Sequence, residues 1–103
     1  MGEMKVSLHA LSRYRERIET DDAGTDDEIV GKILHAFRHS RLVQLRSTKE
    51  RISKLLRHKI ETSYNQHGNM VLVVAGGSVI SIYLYERDRW EPAPRVGWIA
   101  LTR

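Results

Sequence analysis

The run Met70-Val71-Leu72-Val73-Val74-Ala75, then Gly76-Gly77, then Ser78 to Tyr85, constrains the fold of this chain more than any other stretch. Six consecutive apolar residues, half of them β-branched, have the length and composition of a strand buried on both faces. They fall far short of the ~20 residues that a membrane-spanning helix requires. Paired glycines supply positive φ at both central positions of a two-residue hairpin turn. On the returning strand, alternation places Val79, Ser81, Tyr83 and Tyr85 on one face and Ile80, Ile82 and Leu84 on the other. A lone hairpin is only marginally stable in water, so further strands and helices have to cover it.

Helices are written upstream. A strand over Met4 to Ser7 precedes a helix from about Leu8 to Ile18, and Thr20 to Gly24 is a polar loop. Thr25-Asp26-Asp27-Glu28 has the form of a capping box, and its acids suit the positive end of the helix dipole. Ile29, Val30, Ile33, Leu34 and Phe37 then recur at helical spacing and predict the buried stripe of that helix. Leu42 to Leu45 reads as a short strand. Ser47-Thr48-Lys49-Glu50 resembles a second capping box, opening a helix expected to bury Ile52, Leu55 and Leu56 and to expose Arg51, Lys54, Arg57 and His58.

Lys59 to Asn65 alternates, with Ile60, Thr62 and Tyr64 on one side, and His67-Gly68-Asn69 marks a turn. Pro92 and Pro94 break regular structure, and Val96 to Leu101 is a candidate edge strand. The expectation is an α+β domain, with two or three helices packed on one face of an antiparallel sheet of three to five strands. The 103 residues suit a single domain, with a core over about 4–86 and a C-terminal extension over 87–103.

Cysteine is absent, so disulfides, thiolate nucleophiles and cysteine metal sites are excluded. Met1 to Ser7 lacks the apolar core of a signal peptide, and the expectation is a cytoplasmic protein with no membrane partner. The net charge is +4 and 12 of the 17 basic residues are arginine, the side chain whose fork matches phosphate. Such a balance suits an anionic partner such as RNA but serves solubility equally well.

Where the charges lie sharpens this expectation. Each helical residue turns by about 100°, so with His9 at zero, Arg13 falls near 40° and Arg17 near 80°. Leu11, Tyr14 and Ile18 fall on the opposite side, so the helix docks through them and presents His9, Arg13 and Arg17 as a row. Two guanidinium groups clamp a phosphate and offset transition-state charge, and a histidine moves a proton near neutral pH. The same row also fits a solvated face paired with Glu16 and Glu19. Lys32, Arg38, Arg51, Lys54 and Arg57 extend the basic surface as candidate nucleic-acid contacts. His35 and His39 stand at a chelating i, i+4 spacing but read as a solvated helix end; no metal or cofactor is expected.

The segment Val6-Ser7-Leu8-His9-Ala10-Leu11-Ser12-Arg13-Tyr14-Arg15-Glu16-Arg17-Ile18 resembles the strand-to-helix opening His-Ala-x-x-Arg-x-x-x-Arg of a small bacterial and phage family. That family has been placed with the barnase, EndoU, colicin and RelE group of ribonuclease folds. Val71-Leu72-Val73-Val74 and Val79-Ile80-Ser81-Ile82-Tyr83 look like its closing hairpin. The resemblance covers about half the chain and implies metal-independent RNA cleavage, often as a toxin with a protein inhibitor. It implies His9 as the acid–base group, Arg13 and Arg17 as the phosphate clamp, Ser81 in place of a threonine, and Tyr83 as the residue orienting substrate. Ile18 departs from the family's glycine, and residues 41–58 look like an inserted basic helix.

Three functions follow as expectations: a metal-independent ribonuclease, a non-catalytic nucleic-acid-binding module, and a phage or mobile-element regulator that grips a host protein. Trp90 and Trp98 are the aromatic anchors that the last of these would use. One geometric tension is visible in advance. If the first helix packs on one face of the sheet, Ser81 and Tyr83 point to the other, so the two sets can meet only at a sheet edge.

Overall fold

The computed structural model describes residues 4–58 and 62–93. Its elements, in chain order, are β1 (Lys5–Val6), α1 (Leu8–Arg17), α2 (Asp26–Arg38), β2 (Arg41–Leu45), α3 (Thr48–His58), β3 (Ser63–His67), β4 (Met70–Ala75), β5 (Ser78–Leu84) and β6 (Trp90–Pro92). The class is α+β, with one six-stranded sheet in the order β1-β5-β4-β3-β2-β6. It is larger than the three to five strands expected, and it is mixed. β1 runs parallel to β5, with Lys5 opposite Ser78 and Val6 opposite Val79, and the other neighbours are antiparallel.

The β4–β5 hairpin turns at Gly76 and Gly77, whose φ values of 57° and 76° lie where a Cβ is strained. Val74 then pairs with Val79 and Val73 with Ser81, so Ile80 is an extra residue, a β-bulge. That bulge resets the alternation. Val79 joins Ile82 in the helix-covered core rather than sharing the face of Ser81 and Tyr83. An uninterrupted period of two has no way to anticipate this slip.

α1 and α2 lie on one face. Ser7 caps α1, its Oγ accepting from Ala10 N at 3.0 Å and donating to the carbonyl of the bulged Ile80 at 3.2 Å. Both halves of the Thr25–Glu28 capping box are formed. Ala10, Leu11 and Tyr14 of α1 and Ile29, Ile33 and Ala36 of α2 bury against Met70, Leu72, Val79 and Ile82.

A second, smaller core occupies the other face, where Val43, Leu45, Val71 and Trp90 are buried with Tyr64, Tyr83 and Tyr85 against them. Trp90 is 2% exposed, so the segment expected as an extension from residue 87 supplies both a core side chain and β6. Pro92 sits opposite Val43 in this edge strand, where its missing N–H costs the sheet little. β5 and β6 stand four places apart in the sheet, yet the rings of Tyr83 and Trp90 approach to 6.3 Å. The sheet therefore coils strongly, and this face is concave.

α3 borders the concave face and corrects its expected orientation. Ile52 is 52% exposed, whereas Arg51 and Lys54, expected outside, turn toward the sheet. The side chains of Leu55, Leu56, Arg57 and His58 lie outside the described residues, as do Ile60 and the candidate strand Val96 to Leu101 with Trp98. Among the described residues no helix is long and apolar enough to cross a membrane.

Candidate functional site

The helical row of α1 does not act as one unit. His9, in the first turn, is exposed. Arg13 is tied to Glu16, one turn further on, at 2.8 Å. Arg17 alone leaves the helix face. β1 covers β5 only at Ser78 and Val79, so the outer edge of β5 beyond them is open. Arg17 reaches over that edge, donating from Nη1 to the carbonyl of Ile82 at 2.7 Å, and its guanidinium carbon lies 5.3 Å from the centre of the Tyr83 ring.

A second cation arrives from the opposite direction. Lys54 Nζ, on α3, lies 5.3 Å from the same ring centre and donates to the Tyr83 hydroxyl at 3.2 Å. Tyr83 thus gathers an arginine from α1 and a lysine from α3, two elements on different sides of the sheet. An ammonium or guanidinium near an aromatic ring is attracted by its quadrupole, which helps to hold both in place. Ser81 lies half-buried two residues before Tyr83, on the same face. The helix row and the strand residues therefore meet at the sheet edge through Arg17, with His9 and Arg13 left outside the meeting.

Below Tyr83 the concave face is aromatic. Tyr64 lies 5.1 Å from Trp90 between ring centres. Burial pushes the Tyr64 phenol above its ordinary value, the adjacent Tyr83 adds to this, and Arg89 offsets part of it. Beside these rings a groove of about 370 Å³ runs between α3 and the β2–β3 pair, lined by Val43, Leu45 and Tyr64 with Arg51 and Lys54. Arg51 donates from Nη2 to Thr48 Oγ1 at 3.0 Å, while its Nε is buried without an acceptor.

Arg13, Arg15, Lys32, Arg46 and Arg89 each have a carboxylate partner. Among the described residues, Arg17, Arg51 and Lys54 have none within ion-pair distance, and neither have Lys5, Arg38, Arg41, Lys49 and Arg87, but only the first three lie at Tyr83 or the groove. Of the candidate nucleic-acid contacts, Arg51 and Lys54 thus join the site. Lys32 is paired with Glu19 on the helix face, Arg38 is exposed on α2, and the Arg57 side chain lies outside the described residues.

No model of a known family, no curated protein and no solved structure matches the chain. The site therefore has to be read from its own chemistry.

Trp90 is a site residue that sequence reasoning assigned elsewhere, as an anchor for a protein partner. Trp90 stands in Arg-Asp-Arg-Trp-Glu-Pro, which has no apolar period to announce a buried strand. A different grouping forms at the far end of α2, where the rings of His35 and His39 lie 4.5 Å apart. His67, from the end of β3, lies 6.1 and 6.4 Å from them. Among the described residues no such group has the geometry of a metal site.

Proposed function

We propose that this domain binds RNA on its concave face, with Arg17 and Lys54 holding the phosphate backbone around Tyr83. The observation that carries this reading is the convergence of two unpaired cations from α1 and α3 on one tyrosine. Cations without carboxylate partners are free to exchange counterions for phosphates, and arginine adds bidentate geometry. The neighbouring tyrosines suit contacts to ribose and base.

The test is a salt titration of binding to a single-stranded RNA. Each phosphate contact contributes about 0.7 to the slope of log K against log salt on single strands. Arg17→Gln and Lys54→Gln each reduce the slope by about that amount, whereas His9→Ala and Arg13→Gln leave it nearly unchanged. Binding insensitive to salt, or lost equally in all four variants, overturns the reading.

Metal-independent cleavage is the second reading, and the hydrogen bond from Lys54 Nζ to the Tyr83 hydroxyl favours it. In such a reaction the ribose 2′-oxygen attacks phosphorus and gives up its proton, the bond from phosphorus to the 5′-oxygen breaks, and that oxygen takes a proton. The products are a 2′,3′-cyclic phosphate and a 5′-hydroxyl. Tyr83, joined to Lys54, is placed to carry a proton, and Arg17 to offset charge on the phosphorane. His9 stands about 12 Å up the helix axis from Arg17, whose guanidinium is turned to the edge of β5. In excess chelator, RNA acquires cyclic phosphate ends with the wild type and not with Tyr83→Phe. Cleavage that survives Tyr83→Phe but disappears in His9→Ala returns the acid–base role to His9. Intact RNA throughout removes the enzymatic reading and leaves binding.

A further inference from the structure

We infer that the groove between α3 and the β2–β3 pair receives one base of the bound RNA, and that Arg51 selects guanine there. The inference rests on the RNA reading above and adds a specificity to it. Lys54 belongs to both places, touching Tyr83 on one side and lining the groove on the other. A strand whose phosphate sits at Arg17 and Lys54 therefore has a neighbouring nucleotide within reach of the groove.

The groove has the character of a base site. Its volume of about 370 Å³ falls in the range of small-molecule sites, roughly 300–1,000 Å³. Val43, Leu45 and Tyr64 give it apolar walls and an aromatic side chain, against which a flat heterocycle loses little on leaving water. Among the described residues that line it, the ionised ones are Arg51 and Lys54, both cationic.

Arg51 supplies the discrimination. Among the described residues it has no carboxylate partner, and the bond it makes there, to Thr48, leaves donors over. Its Nε is shut from water with no acceptor, a costly arrangement that a shift of the side chain onto a bound acceptor relieves. An arginine fork meets paired acceptors best, and guanine offers O6 and N7 side by side. Adenine opposes one donor with its own amino group, and the pyrimidines lack the pair.

The experiment uses the whole chain and four uridine heptamers that differ only at the centre, where each carries G, A, C or U. Anisotropy at one fixed salt concentration reads their affinities. The G-centred heptamer binds the wild type about tenfold tighter than the others, as one arginine–guanine pair supplies. Arg51→Gln brings the four within about twofold of each other, because the G-centred heptamer loses far more affinity than the other three. Arg51→Lys, which keeps the charge but loses the fork, also erases the preference. Four equal affinities in the wild type overturn the guanine site and leave RNA binding standing. So does a uniform loss across all four in Arg51→Gln when Arg51→Lys restores it, because that pattern marks a phosphate contact. No binding of any heptamer at low salt overturns both readings together.

Discussion

Tyr14 shows how a single side chain links packing to charge. It is 3% exposed on the inner face of α1, and its hydroxyl donates to Glu19, which also accepts from Lys32 Nζ at 2.9 Å. Burial pushes the Tyr14 phenol well above its ordinary value of 10.0, and the Glu19 carboxylate pushes it further. The same hydrogen bond, then Lys32, holds Glu19 below its ordinary 4.5. The signs differ. Glu19 contributes stability that is present above about pH 4.5 and is lost as pH falls through its lowered folded value. Glu19→Gln should therefore melt earlier at pH 7 but lose less on acidification than the wild type. Tyr14, raised when folded, contributes stability present below pH 10 that drains away as pH rises beyond it. Thermal melts between pH 9 and 11.5 should show a shallower alkaline decline for Tyr14→Phe, with Tyr64 supplying part of what remains. Parallel declines in the two proteins would show that Tyr14 is neither buried nor bonded to Glu19 in solution.

At the scale of elements, the caps carry energies that can be checked. The Thr25 hydroxyl accepts from Glu28 N at 3.2 Å and the Glu28 carboxylate accepts from Thr25 N at 3.3 Å. Thr25→Ala should cost about 1 kcal/mol in urea unfolding. Ser7→Ala removes a cap of α1 and also the bond to Ile80, so its cost should be larger, about 1.5–2 kcal/mol. Equal costs would mean that the bulge needs no such bond. The sequence marks Ser7 as the end of a strand, and its cap of α1 appears only in the structure. The Thr25 cap was legible because a capping box is local chemistry within four residues. The hairpin at Gly76-Gly77 and the stripe Ile29, Ile33 and Phe37 were legible for the same reason. The bulge at Ile80 was not, since the residues around it keep an unbroken period of two, and its contact with Ser7 joins residues far apart in sequence. Nor was the turn of α3, whose apolar and basic residues both recur at helical spacing. Which side goes inward depends on the aromatic face it borders, where Tyr83 and the groove accommodate Arg51 and Lys54. Of the candidate site, the residue types were readable and their company was not: only the open edge of β5 decides that Arg17, rather than His9, meets Tyr83.

At the scale of the whole molecule, one sheet separates two cores, and the concave one is the thinner. Val43, Leu45, Val71 and Trp90 are its buried residues, and the described part of α3 adds Arg51 and Lys54 at its border. Trp90 is its largest side chain, in contact with the rings of Tyr64 and Tyr83. Removing it leaves those rings without their common neighbour and the β2 edge without the filled partner opposite Leu45. Trp90→Ala should cost about 3–5 kcal/mol, the range for large aromatic truncations. The loss should be uneven in place, because the α1–α2 core shares no buried residue with the concave one. Amide exchange in Trp90→Ala should accelerate first in β2, β3 and β6, while α1, α2 and the centre of β4 keep most of their protection. The RNA binding proposed for this face should weaken with it, since Tyr83 and the groove residue Tyr64 both rest on that ring. Trp90→Phe, which keeps an aromatic ring in the same place, should recover most of the binding. Uniform acceleration across all elements in Trp90→Ala would show a single cooperative core, and would remove the basis for treating the concave face as a separately adjustable surface.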